Sequence, residues 1–95
     1  MKAIEHRVAQ ITVELYGVPR LKAGIPSVRV AASQVAEALQ KLSELCPPLR
    51  DAIVTDGLVQ PSLRLNLNGE RFIDDHSTPL SDGDTLILMS ADAGG

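Results

Sequence analysis

Apolar and polar residues alternate along three short segments of the chain. These segments are residues 9–15, 27–31 and 63–67. A period of two that includes β-branched residues is typical of a strand that buries one face. The connection between the first two segments contains glycine and proline, which mark turns. We therefore predict that these two strands form an antiparallel hairpin with a long loop.

Residues 33–45 change to the period of a helix. Its apolar residues fall on one stripe, at Val35, Leu39, Leu42 and Leu45. This spacing predicts an amphipathic helix with Ser33 as its N-cap and an i,i+4 ion pair between Glu37 and Lys41. Pro47 and Pro48 should end the helix, because proline lacks the N–H and restricts the residue before it. One more turn is expected over residues 48–53, followed by a loop over residues 55–62.

Two turn signals divide the C-terminal half of the chain. Asn68-Gly69 predicts a two-residue turn into a short returning strand over residues 71–73. Asp82-Gly83-Asp84 predicts a second tight turn, before a last strand over residues 85–89. Successive positions of that strand are apolar, which is typical of a strand that is central or covered on both faces.

The predicted order β-β-α-β-β-β indicates an α+β fold, with one helix across a small mixed sheet. Pairing the first and last strands would make them parallel and central. We expect residues 1–95 to form one domain, with residues 1–7 as a mobile arm and residues 90–95 as an extended C-terminal tail. The tail should then leave from the middle of the sheet, near the acidic turns.

Composition excludes several classes of function. The net charge of −3 argues against a nucleic-acid partner, and the single cysteine excludes an internal disulfide. No apolar run approaches the roughly 20 residues that span a bilayer, and residues 1–7 do not resemble a signal peptide. We therefore expect a cytoplasmic protein without a membrane partner.

The residues that could suggest catalysis or metal binding have simpler interpretations. Cys46 ends the predicted helix, where the helix dipole opposes a thiolate, so we expect structural burial. Asp74-Asp75-His76 are adjacent and rarely converge on one ion, so we expect a solvated loop and no metal site. His6 falls in the predicted arm. The sequence has no phosphate-binding loop and no nucleophile elbow. We therefore expect that the protein has no catalytic residues of its own and binds no cofactor stably.

Small residues make up the end of the chain. Residues 90–95, Ser-Ala-Asp-Ala-Gly-Gly, would reach about 20 Å when extended. Glycine has no Cβ, so this segment can enter a narrow slot, although chain ends without a role are also common. From Glu70 onward the charged residues are mostly acidic. They form either a solubilising surface or a face steered toward a basic protein surface.

Residues 75–88 read Asp-His-Ser-Thr-Pro-Leu-Ser-Asp-Gly-Asp-Thr-Leu-Ile-Leu, and a short spacer leads from them to Gly94-Gly95. This pattern resembles the ubiquitin-like sulfur-carrier family. That family includes the small subunit of molybdopterin synthase and the carriers of the thiamine and cysteine pathways. The resemblance implies the β-grasp fold, in agreement with the predicted strand order.

The resemblance also implies a chemistry for the tail. An E1-like adenylating enzyme would use ATP to activate the Gly95 carboxylate, and a sulfur donor would then leave a thiocarboxylate there. Gly94, Ala93 and Ala91 would keep the tail narrow for threading, and Asp82 and Asp84 would guide docking. The sulfur would pass to an acceptor enzyme, such as a molybdopterin synthase large subunit.

Alternatives remain open at this point. The longer N-terminal segment and the 55–62 loop favour the molybdopterin or cysteine branch over the thiamine branch. The molybdopterin and cysteine carriers usually have a proline or aromatic residue before the last glycines, whereas residues 89–92 here read Met-Ser-Ala-Asp. A ubiquitin-like protein modifier would use the same acyl-adenylate. A β-grasp interaction module would not need the tail at all.

Overall fold

A computed structural model describes residues 8–53 and 58–91. The segments 1–7, 54–57 and 92–95 lie outside the described residues, and with them the predicted arm and most of the predicted tail. The elements follow one another in the order β1 Ala9–Leu15, α1 Val18–Ala23, β2 Ser27–Ala32, α2 Val35–Leu45, a 3₁₀ helix Pro47–Ala52, β3 Leu63–Leu67, β4 Arg71–Phe72 and β5 Thr85–Ser90.

The five strands form one mixed sheet in the order β2-β1-β5-β3-β4. β5 is central, as predicted from its run of apolar residues. It pairs in parallel with β1, where Thr12 lies opposite Thr85, and antiparallel with β3. The predicted antiparallel hairpin of β1 and β2 is confirmed. The predicted α+β arrangement is therefore the observed one.

The hydrophobic core lies between α2 and one face of the sheet. Val13 of β1 and Leu86 and Leu88 of β5 are fully buried there, and so are Leu39 and Leu42 of α2. Alternation along each strand places every second residue on the opposite face. That face is partly exposed, which explains why β1 alternates cleanly between apolar and polar residues.

The connection between β1 and β2 contains a helix that the sequence analysis missed. We expected a loop, whereas Val18–Ala23 forms the six-residue helix α1. Pro19 stands in its first turn, and Gly24 ends it with a φ of 76°. Proline at the start and a left-handed glycine at the end are typical of a helix. Six residues are too few for a helical period to be recognised against the alternation on either side.

The N-terminus of α2 is capped by a distant loop. Ser33 was predicted as the N-cap, and this is wrong, because Gln34 occupies that position. The Val35 N–H donates to the Thr78 carbonyl at 3.0 Å, and the Ala36 N–H donates to the His76 carbonyl at 2.8 Å. These two carbonyls satisfy N–H groups that have no partner inside a helix.

The rest of α2 follows the prediction with one exception. Glu37 and Lys41 form the expected ion pair, with 3.8 Å between Oε2 and Nζ. Leu45 was placed in the buried stripe, but its side chain is exposed, and Ala38 is buried instead. The further turn expected over residues 48–53 is present as the 3₁₀ helix, which runs from Pro47 to Ala52.

Two tight turns lie in the C-terminal half of the chain, one between β3 and β4 and one directly before β5. Asn68 and Gly69 have positive φ angles of 59° and 72°. Three residues separate the paired Leu67 and Arg71, so the predicted two-residue turn is wrong by one residue. The turn before β5 places Gly83 at a φ of 88°, a conformation that favours glycine.

No helix in the described ranges, 8–53 and 58–91, combines the length and the hydropathy that a bilayer crossing requires.

Candidate functional site

The end of β5 is the point from which the C-terminal tail departs. Ser90 was predicted to begin the tail, but it is the last residue of β5 and its side chain is buried. The strand therefore extends one residue further than predicted. Ala91 follows and is exposed. Ala93, Gly94 and Gly95, which carry the rest of the predicted site, lie outside the described residues.

Three hydrogen bonds hold this exit point from two sides. The Tyr16 N–H donates to the Leu88 carbonyl at 3.0 Å, and the Val18 N–H donates to the Ser90 Oγ at 2.9 Å. On the other side, the Ala91 N–H donates to the Ser62 carbonyl at 2.6 Å. The start of α1 and the start of β3 thus fix the direction of the chain as far as Ala91.

Asp82 and Asp84 lie at the opposite end of β5. The strand has six residues, so its two ends are roughly 17 Å apart at about 3.3 Å per residue. The expectation that the tail leaves near the acidic turn is therefore wrong. Asp82 and Asp84 precede β5 in the sequence and Ala91 follows it, so the whole length of the strand lies between them.

The carboxylates of the acidic turn make hydrogen bonds within the domain. Asp82 accepts from the Gln10 N–H at 2.7 Å. Asp84 accepts from the Asn68 side-chain amide at 3.0 Å and from the Ser81 N–H at 2.8 Å. These bonds hold the turn against β1 and against the β3–β4 turn. Both residues therefore stabilise the turn before β5, and their role in docking stays a prediction.

An open groove lies beside the exit point on the β3 side. Its volume is about 490 Å³, and its lining includes Pro61, Arg64, Phe72, His76 and Ala91. The Arg64 guanidinium lies over the Phe72 ring, 5.3 Å from its centroid. Such a cation–π contact favours this position of the guanidinium beside the ring. The groove therefore has one cationic wall close to the start of the tail.

Cys46 is buried, as the sequence analysis predicted. Burial raises the pKa of its thiol, because the thiolate loses solvation. A raised pKa leaves little thiolate at neutral pH, so this position does not favour nucleophilic chemistry.

Asp74, Asp75 and His76 belong to a loop with exposed carboxylates, as predicted. Asp75 accepts from the Ser77 Oγ at 2.6 Å and from the Ser77 N–H at 2.9 Å. These two bonds lower the pKa of the Asp75 carboxyl, because they favour its charged form. Within the described residues, no three metal-ligating side chains of His, Cys, Asp or Glu come together.

The residues of α1 are the part of this site that the sequence analysis missed. Val18 contributes one of the bonds at the exit point, and the helix packs beside the end of β5. The available signal was Pro19 together with Gly24, since proline near the start and glycine after the end mark a helix. The alternation of β1 and β2 on either side led to the prediction of a simple loop.

No family model and no curated protein sequence matches this chain. Solved structures nevertheless resemble it over nearly its whole length. The crystal structure of small archaeal modifier protein 1 from Haloferax volcanii is 25% identical, with a TM-score of 0.77. The similarity covers 92% of this chain and 100% of the Haloferax volcanii chain.

Two further similar structures were solved as complexes with another protein. The Amycolatopsis orientalis BexX/CysO complex contains a chain that is 21% identical, with a TM-score of 0.74, covering 90% of this chain and 99% of that one. The complex of subunits 1 and 2 of the molybdopterin-converting factor from Helicobacter pylori contains one that is 22% identical. Its TM-score is 0.63, and the coverage is again 90% and 99%.

These similarities confirm the fold that the sequence predicted. The chain has the ubiquitin-like β-grasp fold, with five strands in one mixed sheet and a helix packed across it. This is also the fold that the resemblance of residues 75–88 and Gly94-Gly95 implied.

Proposed function

We propose that this protein is a sulfur carrier whose Gly95 carboxylate is converted to a thiocarboxylate. The supporting observation is that β5, the central strand of a β-grasp sheet, leads directly into the small residues that end in Gly94-Gly95. The chain leaves the sheet at Ala91, which is exposed. Its last residues have no bulky side chain that would hinder entry into an enzyme.

The chemistry requires activation, because a carboxylate is anionic and its leaving group would be oxide. The carboxylate oxygen attacks ATP at the α-phosphorus, which releases pyrophosphate and forms an acyl-adenylate. A sulfur donor at the oxidation level of sulfide, such as HS⁻, then attacks the acyl carbon. The bond from that carbon to the AMP phosphate oxygen breaks, AMP leaves, and loss of the S–H proton gives the thiocarboxylate. Only Gly95 changes covalently, whereas Gly94, Ala93 and Ala91 keep the tail narrow. The protein is a substrate in this scheme and needs no catalytic residue.

The scheme needs two partners. An E1-like adenylating enzyme activates Gly95, and an acceptor enzyme receives the sulfur. The acceptor that we propose first is a molybdopterin synthase large subunit, which would place the protein in molybdenum cofactor synthesis. The Helicobacter pylori complex supports this choice, since its two chains are the subunits of a molybdopterin-converting factor. A carrier for cysteine or thiamine synthesis would use the same first step.

Mass spectrometry tests the proposed function. The proposal requires a mature protein that ends at Gly95, and the intact mass measures this. Incubation with the adenylating enzyme of the same organism, ATP and sulfide should add about 16 Da to the C-terminal peptide, since sulfur replaces oxygen at the acyl carbon. Reactions without ATP, and a variant that lacks Gly94 and Gly95, are the controls and should show no gain. Residues found beyond Gly95 in the mature protein, or an unchanged mass with all components present, would contradict the proposal.

Protein modification is the second candidate function. It is favoured by the similarity to small archaeal modifier protein 1, as that name describes a modifier. The acyl-adenylate would then lead to an isopeptide bond between Gly95 and a lysine of another protein. Adducts of higher mass in cells, with a glycine remnant on lysine after digestion, would support modification.

A β-grasp interaction module is the third hypothesis. Of the three, only an interaction module would keep its activity after deletion of Gly94 and Gly95.

A further inference from the structure

Exposed apolar side chains concentrate around α1. In the described residues eight large apolar side chains are exposed, and four of them fall between positions 16 and 25. They are Tyr16, Val18, Leu21 and Ile25. Single exposed apolar residues are common on protein surfaces, whereas a contiguous group is typical of an interaction site. We call these four residues, together with Arg20 and Lys22, the exit patch.

The packing of α1 directs Leu21 away from the core. Successive residues of a helix are rotated by about 100° around its axis. Pro19 is buried and Ala23 packs against the core, so these two residues define the inner face of α1. Leu21 lies midway between them in sequence and therefore on the outer face, where 82% of its surface is exposed. Solvation alone would favour a polar residue here.

The exit patch is positively charged, although the whole chain carries a net charge of −3. Arg20 and Lys22 flank Leu21 and are exposed, and residues 15–36 contain no Asp or Glu. The neighbouring Glu14 carboxylate accepts a hydrogen bond from the Tyr16 hydroxyl at 2.8 Å. The adjacent 3₁₀ helix contributes Arg50 and Asp51, one charge of each sign. A surface that complements the patch would therefore have an acidic rim.

The exit patch adjoins the point where the tail departs. Two backbone N–H groups of the patch, those of Tyr16 and Val18, bond to Leu88 and Ser90 at 3.0 and 2.9 Å. The acidic turn, by contrast, lies at the other end of β5. An enzyme that receives the tail must cover the surface around its origin, and on the α1 side that surface is the exit patch.

We propose that the exit patch is the docking surface for the adenylating enzyme. The complementary site has an apolar pocket that receives Leu21, and carboxylates that face Arg20 and Lys22. This proposal rests on the proposed function, since it requires that an enzyme activates Gly95. It assigns recognition to α1, and not to Asp82 and Asp84 as we expected from the sequence.

ATP–pyrophosphate exchange by the adenylating enzyme of the same organism provides the test. The variants Leu21→Ser and Arg20→Glu should each raise the carrier concentration for half-maximal exchange by about tenfold or more, the loss expected for an anchor at the centre of an interface. The maximal exchange rate should change little, because the tail is intact. Arg20→Glu should also weaken the dependence of exchange on salt concentration.

Matched controls come from the other end of the sheet. Val8→Ser removes an apolar side chain that is 45% exposed directly before β1, and Arg71→Glu reverses an exposed charge in β4. For both control variants, the carrier concentration for half-maximal exchange should stay within about twofold of the wild-type value. Urea unfolding of each variant checks that the fold is intact.

The outcomes separate the two proposals. If the wild type supports exchange and both patch variants have the same half-maximal carrier concentration as the wild type, the docking proposal is wrong and the proposed function stands. If the wild type supports no exchange and gains no sulfur, both proposals fail. If the control variants raise the half-maximal carrier concentration as much as the patch variants do, binding depends on residues at both ends of the sheet. The assignment of docking to the exit patch is then overturned.

Discussion

The backbone N–H of Val18 donates a hydrogen bond to the Ser90 hydroxyl oxygen at 2.9 Å. Val18 is the first residue of α1, so its N–H has no acceptor inside that helix. Ser90 is the last residue of β5, 72 positions later, and its side chain is buried. One hydroxyl thus joins the helix of the exit patch to the residue from which the tail departs.

Replacing Ser90 by alanine should destabilise the protein by about 1 kcal/mol, because the Val18 N–H loses its acceptor. Urea unfolding of the Ser90→Ala variant measures this difference in the free energy of unfolding. Ser62→Ala is the matched control, since Ser62 is exposed and contributes its backbone carbonyl to the exit point. The control should change the free energy by less than about 0.5 kcal/mol. Equal losses in the two variants would contradict the assigned role of the hydroxyl.

Tyr16 should lose its phenolic proton at a higher pH than an ordinary tyrosine. Its hydroxyl donates to the Glu14 carboxylate, and this bond and the negative charge of Glu14 raise the pKa of the phenol. The chain has one tyrosine, so the absorbance of the phenolate reports on this residue alone. Glu14→Gln should lower the pKa, because the negative charge is removed. An unchanged titration curve in that variant would show that Glu14 does not act on Tyr16 in solution.

Asp75 should make stability depend on pH in the acidic range. The Ser77 hydroxyl and N–H lower the pKa of Asp75 in the folded state. A group with a depressed pKa stabilises the fold above the unfolded-state pKa, and this contribution disappears as the pH falls through the folded-state pKa. Wild type should therefore be more stable than Asp75→Asn at neutral pH, and the difference should vanish in strong acid.

Urea unfolding over a series of pH values measures this dependence. Asp74→Asn, which changes the neighbouring exposed carboxylate, is the control and should leave the acid-dependent part of the curve in place. A difference between wild type and Asp75→Asn that is the same at every pH would contradict the assignment.

The Cys46 thiol should react slowly while the protein is folded. The side chain is buried, and burial raises the pKa of the thiol. An aromatic disulfide reagent should label Cys46 at a rate that rises with urea concentration, since reaction requires opening of the fold. Cys46→Ala should still gain sulfur at Gly95 in the mass assay. Fast labelling without urea, or loss of the sulfur gain in the variant, would refute the structural role that we assign to Cys46.

The positions of the strands along the chain were accessible from the sequence, because each signal is local. The alternation of residues 9–15 and 63–67 and the apolar run of residues 85–89 each report how a strand is covered. The resemblance of the diglycine segment to sulfur carriers likewise depends on residue types at a fixed spacing. These features led to the β-grasp fold and to Gly95 as the candidate site.

Other features depend on residues that are far apart in the chain. The carbonyls of His76 and Thr78 replace the predicted Ser33 cap, and no pattern around Ser33 indicates this. Helix α1 is short, and its inner face rests on contacts with elements that follow it in the chain.

The sequence by itself determined which segments form strands and which small residues make up the proposed tail, since side-chain periodicity and backbone freedom are properties of neighbouring residues. The tertiary structure alone decided what surrounds the start of the tail. A strand of six residues separates its two ends by more than the reach of a side chain. The acidic turn beside β5 in sequence is therefore distant from the exit point, and the basic and apolar surface of α1, more than 60 positions earlier, adjoins it.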